Sequence, residues 1–150
     1  MRLGAAGAAL GLTLLLSPGA AWAQACSVST SGGLAFGSYL PTNPVPRDTS
    51  ASITFACNAT IGILVSYGVQ LQSAAGRKMT GARGTLQYLL ATDALFADPW
   101  PEGRTVPGNI LLTALSLFGT RQHLVHARLP PGQLAAPGLY TDNLMVVVTY

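Results

Sequence analysis

Charged residues are scarce in this chain of 150 residues: Asp, Glu, Lys and Arg make up 9% of it, against 49% hydrophobic residues. The formal net charge is only +3, so the high isoelectric point reflects a shortage of charges rather than a basic patch. A protein that binds nucleic acid through its phosphates needs such a patch. The composition therefore predicts no nucleic-acid partner.

Motifs of catalysis and cofactor binding are also missing. The chain contains no G-x-S-x-G turn, no H-E-x-x-H motif and no glycine-rich phosphate loop followed by Lys. Its histidines, His123 and His126, are three positions apart, so on a strand they would point to opposite faces and make a poor metal site. We interpret them as loop residues without a chemical role. The sequence predicts no enzyme, no bound metal and no cofactor.

No apolar run is long enough to cross a membrane, since a spanning helix needs about 20 apolar residues. Residues 3–16 come nearest, but Pro18 and Gly19 interrupt the run soon afterwards. The sequence therefore predicts no stable insertion into a membrane.

The same stretch has the features of an export signal. Arg2 precedes it, and Ala21-Trp22-Ala23 follows it as an A-x-A cleavage site. We predict a signal peptide over residues 1–23 and one mature domain over residues 24–150. A lipid attached at Cys26 is an alternative, but the residues ahead of it fit the attachment pattern poorly.

Cysteine is rare, and both cysteines, Cys26 and Cys57, fall in the mature part. In an oxidising compartment we expect them to form a disulfide. Closing a loop of about thirty residues would stabilise the fold by roughly 3 to 4 kcal/mol in the chain-entropy model. A reactive or metal-binding thiol is the alternative, but the chain has no C-x-x-C motif to support it.

No segment keeps a period of about 3.6 residues, which argues against helices. Short apolar runs instead alternate with Gly, Pro, Asn and Ser, a pattern typical of strands and turns. We predict strands in "CSVST", "GLAFGSY", "ASITFAC", "IGILVSYGVQL", "TLQYLLAT", "ILLTALSLFG" and "LMVVVTY". Gly62 and Gly68 suggest bends in the fourth of these, and the sixth is long enough to be a helix, although its neighbours favour a strand. The predicted class is a β-sandwich.

Alternation assigns faces within these strands. In "ASITFAC", Ile53, Phe55 and Cys57 share one face, which places the disulfide inward. In the last run one face carries Leu144, Val146, Val148 and Tyr150. An unpaired edge beside these residues would be an aggregation hazard unless something covered it.

The order of several short motifs resembles the spore coat protein U domain, a fold also used by subunits of archaic chaperone-usher pili. The matching segments are "CSVSTSGGLAFGSYLP", "ITFAC", "GRKMTG", "LQYLLATDA", Trp100 and "PGLYTDNLMVVVTY". They span nearly all of the mature chain. The residue after Trp100 is Pro101 rather than the glycine usual in the family.

This resemblance implies an incomplete immunoglobulin-like β-sandwich, of the pilin type, that lacks its final strand. Its last strand would border a groove in which a donated strand binds, and we expect Leu144, Val146, Val148 and Tyr150 to line that groove. The implied partners are a periplasmic pilus chaperone, an outer-membrane usher and other pilin subunits, with the chaperone holding the carboxylate of Tyr150. The implied location is the periplasm in transit and then the cell surface or an extracellular fibre.

Cleavage after Ala23 would leave only Gln24 and Ala25 ahead of Cys26, too few residues to form a donor strand at about 3.3 Å each. We therefore expect an acceptor-only subunit at a fibre tip or end, or in a coat, with adhesion or biofilm formation as compatible roles. The alternative is a self-contained secreted β-sandwich that binds carbohydrate or matrix.

Overall fold

The computed structural model describes residues 24–73 and 75–150, so the predicted signal peptide lies outside the described residues. Regular structure in the described part is all β, which confirms the predicted class. The strands are β1 Ala25–Ser31, β2 Arg47–Asn58, β3 Ile63–Ser73, β4 Lys78–Gly81, β5 Gly84–Gln87, β6 Leu89–Ala91, β7 Val106–Leu112, β8 Phe118–Leu129, β9 Tyr140–Thr141 and β10 Leu144–Thr149.

The strands form three antiparallel sheets. A four-stranded sheet has the order β1-β2-β8-β6, and a three-stranded sheet has the order β10-β3-β7. In a smaller sheet, β5-β4-β9, the strand that follows β3 pairs with the short strand that precedes β10. Residues of the two larger sheets bury their inward faces in one hydrophobic core. This architecture is consistent with the expected β-sandwich.

In β2 the apolar residues that the sequence predicts to face inward are buried. Ile53, Phe55 and Cys57 are buried, and Phe55 is completely enclosed. In β3 the buried set is Val65, Tyr67, Val69 and Leu71. Period-two alternation would also place Ile61 and Ile63 on the face of Val65, but both are exposed.

Aromatic contacts join the two larger sheets. The ring centroids of Phe55 in β2 and Tyr67 in β3 are 4.2 Å apart. The Tyr67 hydroxyl and the His123 Nε2 atom form a 2.8 Å hydrogen bond between β3 and β8. Gly108 in β7 makes room for this tyrosine, because a Cβ atom there would lie 2.3 Å from Tyr67 Cζ.

The prediction that the histidines lie in a loop is wrong. His123 and His126 both lie in β8, on opposite faces as their spacing requires. Sequence analysis assigned no strand to "RQHLVHARL", because its charged residues obscure the buried series Val125, Ala127 and Leu129. These residues form the middle of the four-stranded sheet.

The prediction of a single strand over "ILLTALSLFG" is also wrong. β7 ends at Leu112, and β8 begins at Phe118. Between them Thr113 and Ser116 exchange two backbone hydrogen bonds of 2.9 and 3.0 Å, which close a turn. Apolar residues continue on both sides of Thr113 and Ser116 and the turn contains neither Gly nor Pro, so no strong sequence signal marks it.

Three smaller differences concern strand limits. "GLAFGSY" forms no strand, and its one pairing is an isolated bridge between Tyr39 and Gly138. The "TLQYLLAT" segment changes sheets at Tyr88, which divides it into β5 and β6. β3 runs through Gly68 in unbroken register rather than bending there, since Gly68 faces Thr149 on one side and Pro107 on the other.

Candidate functional site

The candidate site lies between two edge strands, β1 and β10, that belong to different sheets. β10 pairs with β3, and β1 pairs with β2, and within residues 24–73 and 75–150 neither has a strand on its other side. Free edges expose backbone N–H and C=O groups that can pair with another chain. Each edge belongs to a different one of the two larger sheets.

The inward face of β10 is incompletely covered. Leu144, Val146 and Val148 pack against the core yet are only half-buried. Tyr150 follows the strand and is 66% exposed, although its ring centroid lies 5.4 Å from that of Phe55. The structure thus places the four sequence-predicted groove residues along one edge of the core.

The inward face of β1 is equally open. Val28 faces Phe55 across the β1–β2 pair, so its side chain lies on the core side of the sheet. It is nevertheless 41% exposed, whereas Phe55 is fully buried. An inward valine stays exposed in this way only when nothing covers the neighbouring part of the core.

A cleft separates the two edges, and we call it the β1–β10 groove. Thr30 and Gly33 form its β1 side, Leu144 and Val146 form its β10 side, and it reaches the core below. This part of the groove contains a cavity of about 280 Å³, whose floor is formed by Ile53, Leu71 and Val125.

A second cavity, of about 320 Å³, continues the groove beyond the start of β10. Its apolar lining consists of Leu34, Phe36, Met79, Tyr88, Tyr140 and Leu144. Leu34, Asp142 and Leu144 border both cavities and mark their junction. A chain lying in the groove would therefore meet two successive sites for side chains.

Asp142 is the charged residue at this junction. Its Oδ2 atom accepts hydrogen bonds from Ser73 Oγ and Tyr88 Oη, both 2.6 Å long. Its Oδ1 atom accepts a 2.8 Å bond from the backbone N–H of Asn143. Burial raises the pKa of Tyr88 well above its ordinary value, and the hydrogen bond to Asp142 raises it further. Tyr88 therefore donates to Asp142 as a neutral phenol.

Among the described residues, no Lys or Arg forms an ion pair with Asp142. The ion pair found in the described residues joins Arg128 to Asp48, with N and O atoms 2.7 Å apart. Arg77 donates its backbone N–H to Ser73 Oγ at 2.9 Å but forms no ion pair with Asp142. The charge of Arg77 partly offsets the rise in the pKa of Tyr88, but the carboxylate between the two cavities has no direct ion-pair partner among the described residues.

The β1 side of the groove is held by the disulfide. Cys26 and Cys57 are bonded and lie directly opposite each other in the β1–β2 pair. Neither cysteine in this chain is free. The bond therefore fixes the first strand to the core, while the other residues of β1 remain exposed.

Sequence analysis missed one side of this site. It identified the β10 face, but not Val28, Leu34 and Phe36 on the opposite side. Their role depends on which strands pair across the sandwich, and a single sequence contains no signal for that. The segment containing Leu34 and Phe36 was assigned to a strand, whereas the structure makes it an irregular wall of the groove.

Over residues 24–73 and 75–150, no three His, Cys, Asp or Glu side chains are grouped so that they could hold a metal ion. Nor does this part include a helix with the length and apolar character that a membrane crossing requires. The β1–β10 groove is the open feature that two edge strands from different sheets border.

Fold and groove together define a class, an all-β structural domain with two unpaired strand edges beside a cleft into its core. Comparison with known families then gives a narrower result. The Spore Coat Protein U domain model matches residues 12–147, and the chain belongs to this family. The resemblance seen in the sequence is thereby confirmed. No curated protein matches the chain.

Membership in this family is consistent with a pilus or coat subunit, because the family is one of structural domains and not of enzymes. The match begins at residue 12, ahead of the predicted start of the mature domain. The boundary between signal peptide and domain therefore stays a prediction.

Proposed function

We propose that this protein is an exported structural subunit of a chaperone-usher surface fibre or coat, and that its β1–β10 groove accepts a strand from another polypeptide. The observation that carries the proposal is the groove itself. Two free edges from different sheets border a cleft whose floor is apolar and whose walls contain both apolar and polar side chains. An inserted strand would pair with backbone groups and fill the cavities with alternate side chains.

The exposure of the groove residues supports this proposal energetically. Burying a Val or Leu side chain completely contributes about 1.5 to 3 kcal/mol relative to leaving it exposed. Further burial would add stability at each of the incompletely buried groove residues, which are Val28, Leu144, Val146 and Val148. A strand laid across all four residues would gain stability from every one of them, as well as from new main-chain hydrogen bonds.

The dimensions of the groove set the length of the strand it would accept. Its cavities are lined along the chain from Tyr140 to Val146, and Val148 and Tyr150 follow on the same side of β10. At about 3.3 Å per residue, a strand of roughly ten residues matches this stretch of extended chain. About five of its side chains would point into the groove.

The proposed partners follow from the same reaction. A periplasmic pilus chaperone would fill the groove first, an outer-membrane usher would receive the complex, and a strand of another pilin subunit would then replace the chaperone. The subunit would move from the periplasm to the cell surface or an extracellular fibre. These steps rest on the family membership and on the open groove.

The acceptor-only role is part of the proposal. β1 begins at Ala25, and the predicted cleavage after Ala23 would leave no donor segment ahead of it. Such a subunit would occupy a fibre tip or end, or serve as a coat component. Sequencing the N-terminus of the exported protein tests this role, because a mature chain with ten or more residues ahead of Cys26 would contradict it.

Expression in a bacterial periplasm tests the main proposal. The full chain is expressed alone and together with a periplasmic chaperone of the chaperone-usher pathway. We expect most of the chain expressed alone to aggregate or be degraded, with a minor soluble fraction that can be purified, and we expect a one-to-one complex with a higher yield on co-expression. A stable monomer that gains nothing from the chaperone would overturn the proposal and favour the self-contained binding module.

A further inference from the structure

The position of Asp142 indicates what kind of strand the groove selects, an inference that rests on the proposed function. We propose that the incoming strand has a basic side chain that meets Asp142, between a bulky apolar side chain in one cavity and an aliphatic side chain in the other. Asp142 would then fix the register of the strand in the groove.

The first step of the argument is location. Asp142 borders the cavity of about 320 Å³ and the cavity of about 280 Å³, and it does so where they meet. It precedes β10 by two residues and lies next to Leu144, which also lines both cavities. Any strand that fills both cavities must therefore pass this carboxylate.

The second step is charge. Asp142 forms no ion pair with a Lys or Arg of the described chain. Covering the groove would remove water from the carboxylate, and a buried unpaired charge is costly. A basic group on the incoming strand would offset that cost, whereas an apolar or acidic group would not.

The third step is geometry. Ser73 and Tyr88 hold Oδ2 through two short hydrogen bonds, so the carboxylate has a fixed position. A carboxylate offers about four acceptor sites, and three are used by Ser73, Tyr88 and the Asn143 N–H. One site remains for a donor from outside the chain.

The register argument follows from strand periodicity. A strand shifted by one residue turns its inward set outward, and a shift of two residues moves each side chain into the neighbouring site. Apolar cavities tolerate several aliphatic residues and distinguish such shifts weakly. A single charge at the junction distinguishes them strongly, because a misplaced Lys would lie in an apolar cavity.

The test uses synthetic peptides of eleven residues that alternate Val and Thr, added to the purified exported protein. In each peptide one Val is replaced by Lys, by Gln or by Leu, and the replacement is moved along the peptide. At one position we expect the Lys peptide to bind about fivefold more tightly than the Gln peptide, the upper range for a partly exposed ion pair. At the other inward positions Lys should weaken binding.

Two variants assign the preference to the carboxylate. In Asp142→Asn the preference for Lys over Gln should fall to less than twofold. In Ser73→Ala, which removes a hydrogen bond to Asp142 but leaves its charge, the preference should persist. A readout that does not depend on the folding of Asp142→Asn compares the same peptides on the unaltered protein in 0.5 M salt, where screening should reduce the preference.

The outcomes separate this inference from the proposed function. If no peptide of the panel binds, strand acceptance itself fails. If peptides bind but Lys gives no preference at any position, or if the preference survives in Asp142→Asn, the groove accepts a strand and the role of Asp142 is refuted.

Discussion

The cysteine pair is the residue-scale feature with the largest predicted effect on stability. The Cys26→Ser/Cys57→Ser double variant should lose roughly 3 to 4 kcal/mol of unfolding free energy, because the bond closes a loop of 31 residues in the unfolded chain. Urea unfolding measures the loss. Reductant should destabilise the unaltered protein and leave the double variant unchanged, and equal unfolding midpoints for the two proteins would contradict the prediction.

Gly108 gives a second residue-scale test, with a matched control in the same chain. Gly108→Ala would place a Cβ atom 2.3 Å from Tyr67 Cζ, and overpacking of this kind costs about 1 to 3 kcal/mol. A Cβ atom at Gly33 would meet nothing within 4 Å, so Gly33→Ala should leave the thermal midpoint nearly unchanged. Similar midpoints for the two variants would show that Tyr67 does not lie against β7 as described.

His123 predicts how stability depends on pH. Burial lowers the pKa of His123 below its ordinary value, and the nearby charge of Arg121 lowers it further. The unfolded chain therefore binds this proton more readily than the folded chain, so stability falls as the pH drops through the ordinary histidine range near 6.5. Unfolding free energies at pH 7.5 and pH 5.5 measure the fall.

His126, the second histidine of β8, provides the control. The fall in stability between these two pH values should shrink in His123→Gln and persist in His126→Gln. A fall that is the same in all three proteins would assign the pH dependence to other groups.

At the scale of single elements, β10 is the strand whose two faces should behave most differently. Val146→Asp places a charge on the face that borders the groove, and Met145→Asp places the same charge on the exposed outer face. We expect Val146→Asp to abolish binding of an alternating Val/Thr peptide, whereas Met145→Asp retains it. Fluorescence titration with a labelled peptide measures both, and equal affinities would exclude the β10 face as the binding surface.

Elements whose buried side chains alternate regularly could be predicted from the sequence. β2 is such a case, since Ile53, Phe55 and Cys57 are buried as their spacing requires. β8 was missed because His123 and Arg121 interrupt its apolar residues, although the strand lies inside a sheet. The turn after β7 was missed because Thr113 and Ser116 close it by hydrogen bonds instead of by Gly or Pro.

The groove shows the same limit for a functional site. The inward set of β10 follows from period-two alternation along one strand, so Leu144, Val146 and Val148 could be named in advance. Val28 and Leu34 become groove residues only through the pairing of strands distant in sequence. The position of Asp142 likewise depends on hydrogen bonds from Ser73 and Tyr88, which are 69 and 54 residues away in the sequence.

At the scale of the whole molecule, the two larger sheets share one core but leave it open along one side. Each sheet ends there in an unpaired strand, β1 in one and β10 in the other. The half-buried residues of β10 and the exposed Val28 lie on either side of this opening. The central claim is that a strand from another polypeptide completes the core at this place.

Hydrogen–deuterium exchange tests this claim most directly. The exported protein is compared with a version that has, after Tyr150, a short turn and ten alternating Val and Thr residues, so that the added strand can fold back antiparallel to β10. Amides paired only at a free edge open readily, whereas amides inside a completed sheet are protected. The account predicts fast exchange in β1 and β10 of the unmodified protein and strong protection of both strands in the extended one. Protection of β1 and β10 equal to that of β2 and β8 in the unmodified protein, unchanged by the added strand, would contradict it.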